Sequence, residues 1–176
     1  MDSTRRKGIG SFADRLRSNL GLSIPVSPED AVAKLQGRIQ DVDPRQLLGG
    51  EAKIVKTEEA SGVKFEIWVD RTKSLNRRRF SIAHEIGHLF LHMGYLIDPA
   101  KWDAIRVRDE SAYFRGGTSE QEFEAHEFAA AFLMPEGEFK QCAETADDLT
   151  EVAQKFEVSI DAAINRGRWL NIYSWT

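Results

Sequence analysis

A chain of 176 residues, 41% hydrophobic and 30% charged, is long enough to fold as one domain with a real core. Its net charge of −4 gives no support to a role in coating nucleic acid. The single cysteine, Cys142, excludes an intrachain disulfide and every cysteine-based zinc cluster, so any metal site must be built from histidines and carboxylates. No secretory signal and no apolar run of membrane-spanning length is visible, and the expected location is the cytoplasm.

Residues 1–10 are polar, basic and glycine-containing, and read as a disordered N-terminus. Phe12, Leu16 and Leu20 then recur at helical spacing up to Gly21. After the Ile24-Pro25-Val26 turn, Ser27 caps a second helix with Pro28 at its first position, expected to stop near Gly37. A loop over 41–50 leads to two β runs, 52–56 and 63–69, around a Ser61-Gly62 turn. They predict a hairpin or part of a small antiparallel sheet. Residues 77–93 predict a helix that is apolar on nearly every side, and therefore buried.

Residues 94–118 read as irregular, with Pro99 and the pair Gly116-Gly117. Ser119 and Glu122 have the spacing of a capping box, opening a helix that runs to about Met134, before Pro135. The tail predicts two short helices, 149–156 and 160–169, joined by Glu157-Val158-Ser159 like a helix-turn-helix. Asn165, Arg166 and Arg168 would be its only polar base readers, so the pair is read as packing on the main domain and direct contact with nucleic acid is not expected. The expected division is a disordered 1–10, a main domain over 11–140 and a helical subdomain over 141–176.

The stretch that carries chemistry is His84-Glu85-Ile86-Gly87-His88. A helix turns about 100° per residue, so residues four apart lie within about 40° of each other on one face. Two imidazoles so placed can bind one zinc ion, and Glu85 beside them can take a proton from a water on the metal. A carboxylate is almost never buried without a partner, and such a water would be one for Glu85.

Catalytic zinc usually has three protein ligands. The metzincin pattern would need Gly at 91 and His at 94, where this chain has Leu91 and Gly94. His92 lies a further turn along the same helix, too far up for all three rings to meet one ion. The third ligand must therefore come from another segment. On the helix from Glu120 to Leu133, Glu124 shares a sector with Phe128, Ala131 and Phe132, where a carboxylate is costly unless a cation meets it. Glu124 is the first choice, with Glu120 and Glu127 as alternatives. Glu122 projects to the opposite side and reads as solvated or capping, and His126 as structural or supporting the site from behind.

Arg79–His92 resembles the core of the ImmA/IrrE family of metallopeptidases. The stretch from Glu122 to Pro135 is similar to that family's Glu-Ala-Asn-x-Phe-Ala…Leu-Met-Pro helix, with His126 where the family usually has Asn. The Ile24-Pro25-Val26 turn, the sheet before the box and the terminal helices have counterparts there as well. The resemblance implies a mainly helical α+β, gluzincin-like fold with a small antiparallel sheet. It implies one Zn2+ per chain held by His84, His88 and Glu124, with Glu85 as catalytic base. It also implies a substrate that is itself a regulatory protein, a helix-turn-helix repressor or antitoxin encoded nearby. The alternative is a zinc-containing module that sequesters a transcription regulator without cutting it; an intact Glu85 speaks against this. His92, Tyr95 and Tyr113 are the candidates for stabilising the tetrahedral oxyanion, and the strand over 65–69 for binding the substrate backbone.

Overall fold

The structure is a computed structural model that describes residues 2–47, 49–58, 60, 62–107 and 119–172. Helix α1 (Ser3–Asn19) starts inside the stretch expected to be disordered. Asp2 caps it by accepting the backbone N–H of Arg5 at 2.8 Å, and the Arg5 and Arg6 side chains pair with Glu124 and Glu127. Those partners lie more than 110 residues away, so a local reading of a basic, glycine-containing segment could not find them. Farther along α1, Phe12 packs on Phe90 and Phe128, with ring centroids 5.5 and 6.0 Å apart.

Helix α2 (Pro28–Lys34) begins as expected, with the Ser27 hydroxyl accepting the Asp30 N–H at 3.0 Å. The sheet beyond it departs from the expected hairpin. Strand β1 (Gly37–Val42) pairs parallel with β3 (Phe65–Asp70), and β2 (Ala52–Lys56) pairs antiparallel with β3 on its other side. The sheet is thus mixed, in the order β1-β3-β2, rather than antiparallel. Gly37 does not serve only to stop a helix. A Cβ there would lie 2.3 Å from the Phe65 ring, so glycine lets β1 come in against β3. The rest of β1 is polar and half-exposed, with little alternation to mark it as a strand.

Helix α3 (Leu75–Leu91) carries the HExxH box and packs on β2 and β3 through a largely buried surface. A short α4 (Pro99–Ala104) forms within the stretch expected to be irregular, with Asp98 as its cap and Pro99 at its start. Helix α5 (Ser119–Leu133) lies between α3 and α1. Its closest approach to α3 is at Gly87, where an added Cβ would sit 3.0 Å from the Ala125 Cα. Phe128 and Phe132 stack in the core beneath that contact, their centroids 5.5 Å apart.

Helices α6 (Glu136–Thr145), α7 (Leu149–Phe156) and α8 (Ile160–Trp169) complete the chain. The α7–α8 pair is fastened to the main helices. Arg166, 5% exposed, donates from Nε to the Met134 carbonyl at 2.9 Å, and Asn76 donates to the Val158 carbonyl at 3.0 Å. One of the three supposed base readers is therefore spent inside the protein. The architecture is mainly helical α+β. Among the described residues, no helix is long and apolar enough to cross a membrane.

Candidate metal centre

The HExxH geometry follows from α3 itself. His84 and His88 fall on one face, with their Nε2 atoms 3.1 Å apart. The third group at this point is Glu122 of α5. Its Oε2 lies 3.2 Å from His84 Nε2 and its Oε1 lies 3.4 Å from His88 Nε2. Tetrahedral zinc with bonds of about 2.0–2.1 Å has ligand atoms about 3.3 Å apart, close to the His84–His88 separation and to the approach of one Glu122 oxygen to each ring. Two imidazole nitrogens and one carboxylate are also donors that zinc accepts, so these residues could hold such an ion. Hydrogen bonds from His84 and then His88 hold the Glu122 carboxyl well below the usual carboxylate range, leaving it anionic.

The structure does not bring Glu124 to this point. The Glu124 carboxylate accepts Arg5 Nε on one oxygen and lies 3.1 Å from His92 Nε2 on the other. It is 2% exposed, and the Arg5 hydrogen bond lowers its pKa most. The expectation put the third ligand in the middle of the apolar sector of α5. That middle is occupied by the Gly87–Ala125 helix contact. Glu122 and His126, one turn apart, emerge on the flank that opens to the cleft, and Glu124 emerges on the flank covered by α1. The carboxylate in an apolar sector does meet a cation, but that cation is Arg5. Of the alternatives, Glu127 faces Arg166 and Arg6, and Glu120 lies exposed. Glu122 is thus not merely a solvated or capping residue.

Glu85 points into the same cleft and is 8% exposed. Burial pushes its pKa up to about 7, against the pull of His84, so it can both take and release a proton near neutrality. The cleft has a volume of about 440 Å³ and is bounded by the segment 49–54 together with Phe80, Glu122 and His126. The strand expected to bind substrate, β3, is the central one and is paired on both sides, so no further strand can join it. The strand at the cleft is β2, which among the described residues is an edge strand with no strand paired on its outer side.

Two of the three oxyanion candidates do not face this cleft. His92 sits behind His88, with the two Nδ1 atoms 2.9 Å apart, and burial pushes its pKa down to about 4. The Tyr95 hydroxyl donates to the Leu35 carbonyl at 2.8 Å in the core. Tyr113 lies outside the described residues. His126 is not among the sequence-based candidates for the cleft, yet its ring lies 5.7 Å from that of His84 and 4.8 Å from that of Phe80 at the cleft wall. Burial, and then the nearby His84, lower its pKa and favour the neutral ring. The signal that could have found it is its i,i+4 spacing from Glu122.

The model of the IrrE N-terminal-like domain, Peptidase M78, matches residues 55–167, a span that includes both helices of the site. The chain belongs to this peptidase family. The M78 match begins in β2 and ends in α8, so α1, α2 and β1 lie outside it, Arg5 among them. No curated protein matches the chain. The family is one of metallopeptidases, and within the matched span His84, His88 and Glu122 could hold a metal ion.

Proposed function

We propose that this M78 chain is a zinc-dependent endopeptidase that cuts a single regulatory protein, a helix-turn-helix repressor or antitoxin. The observation that carries the reading is Glu85, a buried carboxyl in a cleft beside two histidines and a carboxylate that could hold a metal ion. Zinc bound by His84, His88 and Glu122 would acidify a water and polarise the scissile carbonyl. Glu85 takes the proton from the attacking water as its oxygen bonds to the carbonyl carbon. Glu85 then returns that proton to the amide nitrogen as the carbon–nitrogen bond breaks, releasing an acid and an amine. The edge of β2 holds the peptide extended through backbone hydrogen bonds, which suits an unfolded or looped segment of a protein partner.

The test is incubation of the zinc-loaded chain with any small helix-turn-helix protein found encoded beside it, with products read by mass spectrometry. The proposal expects one dominant cleavage, abolished by a chelator and by Glu85→Gln. Binding without fragments would replace the peptidase with a sequestering module, and cleavage by Glu85→Gln would remove Glu85 as base.

A further inference from the structure

Behind the proposed ligands runs a second line of polar groups that the hydrolytic chemistry does not use. We infer that Arg5, Glu124 and His92 form a directed hydrogen-bond chain that sets the tautomer and orientation of His88, making them positioning residues of the metal centre. This rests on the reading that His84, His88 and Glu122 hold the ion.

The direction comes from donor and acceptor counting. His88 Nε2 faces His84 and Glu122, and its Nδ1 lies 2.9 Å from His92 Nδ1. Two ring nitrogens in contact need one proton between them. If His92 gave it, His88 would carry its own proton on Nε2, the atom a metal needs. If neutral, His92 would also turn the lone pair of its Nε2 toward the Glu124 oxygen 3.1 Å away, an acceptor facing an acceptor. If His88 gives the proton, each link of the line behind it is satisfied. His88 Nδ1–H donates to His92 Nδ1, His92 Nε2–H donates to Glu124, and the other Glu124 oxygen accepts from Arg5 Nε. Glu124 thus favours the arrangement in which His88 offers its Nε2 lone pair to an ion.

Burial makes this selection matter. His88, His92 and Glu124 are 2%, 4% and 2% exposed, so water does not readily replace a missing link. Only Arg5 is exposed, with 56% of its side chain accessible, and it closes the line from α1, outside the span the family model matches. Partners of metal-bound histidines typically change metal affinity about 10–100-fold when lost.

The experiment uses the whole chain. Ring-nitrogen NMR of the zinc-loaded protein should show protons on His88 Nδ1 and His92 Nε2. Chelator competition should show zinc bound about 10–100-fold more weakly by His92→Leu. His92→Asn, which returns an amide oxygen near the lost Nδ1, should recover part of that. Arg5→Gln, at the exposed end, should give a smaller loss in the same direction and serves as the reading if His92→Leu does not fold. Unchanged zinc affinity in the folded variants, or a proton on His92 Nδ1, overturns the chain alone. A wild-type protein that binds no zinc overturns the metal reading, and this inference with it.

Discussion

Gly87→Ala tests how the site is built, because Gly87 is where α3 and α5 meet. The new Cβ would lie 3.0 Å from the Ala125 Cα, and 3.2 Å from both the Ala125 carbonyl oxygen and the Phe128 Cβ. Favourable carbon–carbon contacts fall at about 3.5–4.0 Å, so the helices must separate by roughly half an ångström. Phe128 is fully buried and cannot swing aside, and Ala125 presents backbone. Overpacking of this kind costs about 1–3 kcal/mol, against which alanine returns about 1 kcal/mol of helix propensity. The expected net loss is about 1 kcal/mol in urea unfolding of the metal-free chain. The diagnostic effect is on zinc: Glu122 rides on α5 one turn before Ala125, so separating the helices draws it away from His84 and His88. Chelator competition should therefore show weaker zinc binding. A variant stabilised by about 1 kcal/mol with unchanged zinc affinity would refute the reasoning, because propensity alone would then account for it.

Three other outcomes are expected. Glu122→Ala should lose zinc far more completely than Glu124→Ala, which removes only a partner behind His88; the reverse order in chelator competition would restore Glu124 as ligand. Arg166→Met should cost less in urea unfolding than the roughly 3–5 kcal/mol of a wholly unpartnered buried charge, since buried Glu127 keeps Arg6, and the double variant with Glu127→Met should recover part of it. In the metal-free chain, His92 titrates at about 4 when folded, below its ordinary 6.5, so its contribution to stability is lost as pH falls between those values. Glu85 titrates at about 7, above its ordinary 4.5, so its contribution is lost as pH rises between those values. The two slopes oppose each other. Glu85→Gln should unmask the first, with stability rising by at most about 3 kcal/mol from pH 4 to 6.5. Equal profiles for variant and wild type would contradict the Glu85 assignment, and a variant whose stability does not rise over that range would contradict the His92 assignment.

The parts of this molecule legible from sequence are those decided within one helix. Ser27 with Pro28, and the run of α3 that is apolar on nearly every side, are local signals, and they place α2 and the HExxH helix close to where the structure has them. The facing of His84 and His88 and the nearness of Glu85 also need only helical geometry. The third carboxylate is different, because Glu122 and Glu124 are separated by how α5 crosses α3. That crossing is set by Gly87 against Ala125, a contact between residues 38 apart that no single-helix projection contains. The same limit hides β1, a polar strand made recognisable only by its pairing with β3, and the start of α1, whose arginines find their carboxylates across the fold.

The central claim is that His84, His88 and Glu122 together hold zinc. Anomalous diffraction at the zinc edge, from crystals of the whole chain grown with zinc, tests it most directly. The account predicts one peak about 2.0–2.2 Å from His84 Nε2, His88 Nε2 and a Glu122 carboxylate oxygen. A peak bonded to Glu124 or His92, or no peak between the two histidines, would contradict it.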